Sequence, residues 1–262
     1  MTQKSREEIL KEIATTLTNV INIYSLNAEK EVDKKFKLQL VYTSYLLTNI
    51  YALLRSVADY PDQKKVSDEL FESQILIWQA CNSMLAATQL IRQGYPLEPQ
   101  FLMRVSIESF ALAVSFHLDE KLFPKYKETK LSGKDCIGIV KKALKEIGQI
   151  YGLLSQVTHP SVRTTGNNYN QKTESVIIGG SYTEHLSYRV LFNFSLLNYL
   201  LLTIWKGSEL VFYRFETKPK FWIEENEGYI LRLDDSIKEL VKKISKDFRM
   251  AISAVDEQEI LS

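Results

Sequence analysis

The sequence predicts an all-α protein: a single-core bundle of about seven helices with one small β-hairpin insertion. Three observations carry this. Apolar residues recur at three- and four-residue spacing along most of the chain, the signature of amphipathic helices. Glycine (10) and proline (6) are scarce in 262 residues, so the elements run long, as helices do. Two segments are apolar almost all round, which a helix tolerates only when other helices cover it.

The elements follow in order. A first helix is expected over 6–26, with Ile9, Ile13, Leu17, Val20, Ile21 and Tyr24 on one stripe and Asn27 as its break. A second runs from Glu29 to Ala58, charged at its start and apolar at its end, up to a turn at Tyr60-Pro61. Ser67 is the expected N-cap of a third, which reaches Arg92 and stops at Gly94, ahead of Pro96 and Pro99. The fourth, 100–118, carries Phe101, Leu102, Met103, Val105, Ile107 and Phe110 and is expected at the centre, covered on every side. A connector over 119–133 holds several lysines and Pro124. A fifth helix spans 134–158 and ends at Pro160, because the residue before proline is pushed out of the α region. Residues 161–183 are turn-rich around Val176-Ile177-Ile178; they read as a hairpin or loop insertion and the only β element. The second all-apolar helix covers 184–215. A loop with Pro219, Trp222 and Gly228 precedes the last helix, 234–254, striped by Ile237, Val241, Ile244 and Phe248. Two apolar helices wrapped by five amphipathic ones make one domain over 1–262 the economical arrangement.

Composition narrows the function. Hydrophobic residues at 45% and charged residues at 25% are ordinary globular usage. The 33 basic and 32 acidic side chains cancel to +1, which argues against a large phosphate-binding face. Cys81 and Cys136 stand far apart inside apolar patterns and read as buried thiols of a reducing compartment. The N-terminal residues carry acids and no apolar run, so no signal peptide is expected and the cytoplasm is the expected location. The apolar run Val190–Trp205 is 16 residues long and interrupted by Asn193, Ser195 and Asn198, which predicts a core helix with no membrane contact. No P-loop, no dinucleotide-binding turn, no C-x-x-C, no H-E-x-x-H and no G-x-S-x-G occurs, and the three histidines are scattered. Neither a metal nor a cofactor is expected.

What remains is polar residues where apolar ones would fit. Arg104 and Glu108 are one turn apart on an apolar helix, and Glu108 falls within the stripe of Phe101, Val105 and Leu112. A carboxylate there is expected to be buried and neutralised by Arg104. Tyr151, Ser155 and His159 continue an apolar stripe in polar form at four-residue spacing, with His159 at the helix end. An antiparallel pairing that sets Leu118 beside Lys134 would bring Tyr151 within reach of Arg104. These five residues form the candidate polar pocket, and each set is as readily a register lock or a helix cap.

The segments Arg104-Val105-Ser106-Ile107-Glu108 (R-x-x-x-E) and Tyr151 to Ser161 (Y-x-x-L-S-x-x-x-H-P-S) resemble a bacterial all-helical family of no established activity, itself distantly similar to HEPN domains. The resemblance covers roughly residues 70–162. It implies an all-helical fold with a site near these two motifs. The R-x4–6-H motif of HEPN ribonucleases is absent at His117, His159 and His185. The leading expectation is a non-catalytic binding or regulatory module of a bacterial defence or stress system, with an unknown protein or small-molecule ligand and a homo-oligomeric state compatible with it. The alternative is a HEPN-like RNA-directed hydrolase, with His159 and Arg104 or Arg163 on the scissile phosphate and Lys121, Lys125, Lys127, Lys130 and Lys134 along the backbone.

Overall fold

The computed structural model describes residues 25–60, 66–158, 187–215, 218–225 and 228–260, together with positions 8, 11, 15, 169–170 and 175–176. Among these residues there are nine α-helices: α1 (Ser25–Lys35), α2 (Lys37–Ala58), α3 (Asp68–Arg92), α4 (Glu98–Leu118), α5 (Leu122–Lys127), α6 (Gly133–Val140), α7 (Glu146–Thr158), α8 (Ser187–Val211) and α9 (Asp235–Ile260). The strands β1 (Tyr169–Asn170) and β2 (Ser175–Val176) pair antiparallel inside the stretch expected to hold a hairpin. The all-α bundle with its hairpin is therefore the fold. One connected apolar core runs from Val32 on α1 to Phe248 on α9.

The elements divide more finely than the periodicity suggests. The expected helix over 6–26 lies largely outside the described residues. Asn27 is no break, since α1 runs through it; the break falls at Phe36, where the chain bends so that a buried ring meets Phe194 at 5.9 Å. Ser67 caps α3 as expected, its hydroxyl accepting from Leu70 N at 3.2 Å, and Gly94 takes a positive φ of 78° beyond the last turn. The connector folds one short helix, α5. The expected helix over 134–158 is two helices, because residues 141–145 turn. Leu144, buried at that turn, packs against Gly207 of α8, where a Cβ would stand 2.8 Å from Leu144 Cδ1 and 2.3 Å from the Phe110 ring. Only glycine admits that approach.

A second hairpin corrects the reading of 216–233 as plain loop. Strands β3 (Trp222–Glu225) and β4 (Gly228–Leu231) pair in register, Trp222 opposite Leu231. Its anchor is Glu209, fully buried in α8. The carboxylate accepts the backbone N–H groups of Lys220 (2.8 Å), Phe221 (2.7 Å) and Trp222 (3.0 Å), and the Trp222 indole donates to Lys206 O at 2.7 Å. Three backbone donors satisfy a charge that would otherwise be costly in the core.

α8 crosses the middle of the bundle, against α2, α3, α4, α7 and α9. The helix is 25 residues long, and by length and composition both α8 and α4 could cross a membrane, so the shortness of the Val190–Trp205 run does not argue against a span. Burial places α8 instead: 83% of its apolar window lies inside the fold, against 50% for α4. Its polar side chains bind backbone across helix contacts. Asn193 donates to Pro96 O at 3.0 Å and Asn198 to Gln39 O at 3.1 Å, which fixes the register of α8 on its neighbours.

Candidate functional site

α4 is not covered on every side. Its inner side, with Met103, Ile107, Phe110 and Val114, is fully buried, while Phe101 (46% exposed) and Val105 (53%) face solvent. Glu108 therefore sits at the edge of an outward stripe and not in the core. The Arg104–Glu108 ion pair forms, Nε to Oε1 at 3.2 Å, with side chains 22% and 32% exposed. The expectation of a buried pair is corrected accordingly: the stripe predicted from 100° spacing is real, but half of it points outward.

α7 completes the cluster. Tyr151 donates its hydroxyl to Glu108 Oε1 at 3.1 Å and accepts from Arg104 Nη2 at 3.3 Å, while the guanidinium carbon lies 5.4 Å from the ring centroid. Burial alone would lower the Arg104 pKa; the hydrogen bonds to Glu108 and Tyr151 and the negative charge nearby outweigh it, and the guanidinium stays charged. The register that delivers Tyr151 differs from the expected one. Gly133 lies against the backbone of Glu108, where a Cβ would stand 2.4 Å from the carbonyl oxygen, and Cys136 Sγ accepts from Ser115 Oγ at 3.1 Å. The start of α6 thus sits by Glu108 and not beside Leu118, and the turn at 141–145 returns α7 along α4. Of the five candidate residues, Arg104, Glu108 and Tyr151 meet. Ser155 stands half-buried one turn further along α7. His159 lies outside the described residues, as does His185.

No family model, no curated protein and no solved structure matches this chain. The chemistry of the site therefore stands on its own residues.

Each member of the triad is engaged by another, and the carboxylate is held by two donors. That arrangement positions a tyrosine and an arginine rigidly at the surface. The lysines of the connector are all exposed; Lys130 pairs with Glu128 at 2.8 Å and Lys127 lies over the Phe123 ring at 5.7 Å. The cysteines are free and buried. Burial pushes the Cys81 thiol up to about 12 and raises Cys136 too, against the opposing effect of its Ser115 hydrogen bond, so neither offers a thiolate at neutral pH.

Lys206 and Glu209 are core residues that the sequence hides, because there they read as the charged close of an apolar run. Both are buried within α8, and Lys206 pairs with Glu146 at the start of α7, Nζ to Oε1 at 3.1 Å. Their signal is their position: two charges on the continuing stripe of an all-apolar helix, where only paired charges persist.

Proposed function

We propose that this chain is a non-catalytic helical binding module that contacts another protein through the outer side of α4 and its border with α7. The observation that carries the reading is the exposure of Phe101 and Val105 beside Arg104, Glu108 and Tyr151. Aromatic and arginine side chains dominate the binding energy of protein interfaces, and a tyrosine–arginine pair already held in place loses little entropy on contact. The cluster holds no serine, cysteine or histidine, and its carboxylate is neutralised by Arg104, which favours recognition over catalysis. The proposed setting is the cytoplasm of a bacterium, in a defence or stress system, and the free, buried cysteines suit such a reducing compartment.

The test is a photo-crosslinking residue at position 101 of the full chain in cells, with Lys242 on the exposed side of α9 as the control position. The reading predicts one discrete adduct from 101, none from 242, and loss of the adduct when Arg104→Glu is added. Absence of an adduct from 101, or equal products from both positions, would contradict it. An adduct of twice the chain mass identifies the partner as a second copy. The hydrolase alternative is separated by incubating the purified chain with generic RNA: no cleavage is expected, and cleavage lost in His159→Ala would replace the binding reading.

A further inference from the structure

α3 exposes an apolar stripe on the side turned away from α4. Ser73 and Ala80 face α4, where the Ser73 hydroxyl donates to Ala113 O at 3.2 Å and the Ser106 hydroxyl to Ala80 O at 2.9 Å. At about 100° per residue the opposite side carries Phe71, Ile75, Trp78, Asn82, Leu85 and Gln89. Their spacing alternates four and three, which is the seam by which one helix packs along another. Phe71 (56% exposed), Trp78 (37%) and Leu85 (46%) stand in solvent along it. Tyr51 of α2 borders the stripe, its ring 4.8 Å from that of Trp78 and its hydroxyl donating to Asn82 Oδ1 at 3.3 Å, so the centre of the seam is held in place. Charge is missing as well. Residues 73–91 hold no charged side chain, although Gln79, Asn82 and Ala86 are exposed beside Trp78 and Leu85. A solvated face is built like the outer side of α9, where Lys238, Glu239, Lys242 and Lys246 are exposed. Loss of charge together with exposed aromatic rings is the composition of an interface centre.

We infer that this stripe joins two copies of the chain, with α3 packed antiparallel against α3 of the second copy. Its neutrality selects that partner. About a two-fold axis each side chain lies close to its own counterpart, so charges on the seam would repel, and their absence from 73–91 lets the stripe lie against itself. A partner chosen by charge would find nothing to pair with here. The seam is centred between Trp78 and Asn82, and antiparallel pairing about that centre sets unlike residues opposite one another: Trp78 against Asn82, Ile75 against Leu85 and Phe71 against Gln89. An indole N–H and an amide oxygen, which has room for a second donor beside Tyr51, thus meet near the axis. The area suits a stable pair. A face the length of the 25-residue α3, about 37 Å, and two helix diameters across comes to on the order of 800 Å², which is what each partner of a specific interface buries. The stripe lies on the other side of α3 from α4 and does not depend on the contact proposed for α4.

The experiment is sedimentation velocity of the full chain at up to tens of micromolar, with cysteine pairs to read the register. A species of twice the 30.3 kDa chain mass is expected. Leu85→Glu and Trp78→Glu should each raise its dissociation constant about tenfold or more, because each sets an uncompensated charge in the seam, while both variants keep a helical spectrum and a cooperative melt. Oxidation of Phe71→Cys mixed with Gln89→Cys should link the two variants. Phe71→Cys by itself should give no such product, since antiparallel pairing sets its two copies about 27 Å apart at 1.5 Å per residue. A dimer that survives both glutamate variants, or a Phe71→Cys product formed without Gln89→Cys, would overturn the inference. So would a chain that stays monomeric at these concentrations, and its sedimentation with phosphatidylcholine vesicles would then assign the stripe to a lipid surface.

Discussion

α4 and α8 read alike in sequence, each apolar on nearly all sides, and the fold treats them differently. α8 is enclosed along most of its length, and even its lysine, glutamate and asparagines are buried and paired. α4 buries one side and leaves Phe101 and Val105 in solvent, next to a charged pair that a tyrosine completes. The outer side of α4 is the surface that the proposed contact with another chain would bury. The difference also separates two kinds of charge. Glu209 holds the fold together from inside, whereas Glu108 shapes a surface.

The comparison is broken most sharply in α8. Glu209→Ala should strand three backbone N–H groups at the start of the second hairpin and cost about 3–5 kcal/mol in a denaturant melt. Gly207→Ala forces a methyl into the Phe110 ring and should cost about 1–3 kcal/mol, the usual range for overpacking. Little or no change in either would mean that α8 is not the enclosed helix described.

A pH-dependent difference arises at the end of α4. Burial of the His117 ring, with the Arg214 guanidinium as a further cause, lowers its pKa below the ordinary value. A lowered histidine pKa means that the folded chain binds fewer protons than the unfolded one. The stability linked to it is thus fully present above about pH 6.5 and is lost as the pH falls from there through the lowered folded value. Melts at neutral and mildly acidic pH should show this loss, and His117→Gln should reduce it; an unchanged pH dependence in that variant would remove His117 from the account.

The smallest effects belong to the outer side of α4. Glu108→Ala should cost about 1 kcal/mol or less, because its pair with Arg104 is partly solvated, where a buried pair broken from one side would cost about 3–5 kcal/mol. A double-mutant cycle with Arg104→Ala gives the pairwise energy directly.

The helices are legible in the sequence because their spacing and caps are local: Ser67 and Gly94 set the ends of α3 without help from the rest of the chain. The meeting of Tyr151 with Arg104 is anticipated by the expected pairing of 100–118 with 134–158, but it comes about through a different register, with Gly133 beside Glu108 and a turn at 141–145 that returns α7 along α4. What escapes the sequence depends on contacts between distant segments. The bend at Phe36 answers to Phe194, the break after Val140 to Gly207, and the second hairpin to Glu209. Periodicity assigns a side chain to a stripe but does not say whether the protein covers that stripe, which is why Glu108 reads as an inward residue and stands at the surface.

The most direct test of the contrast between the two helices is one pair of denaturant melts, Phe101→Asp against Phe194→Ala. Phe194 is a fully buried ring, and its loss leaves a cavity in the core. If Phe101 belongs to a contact surface and not to the core, Phe101→Asp should stay within about 0.5 kcal/mol of the unaltered chain while Phe194→Ala falls by about 3–5 kcal/mol. A loss at Phe101 as large as that at Phe194 would show that the outer side of α4 is buried in the folded chain, and the proposed contact surface would not exist.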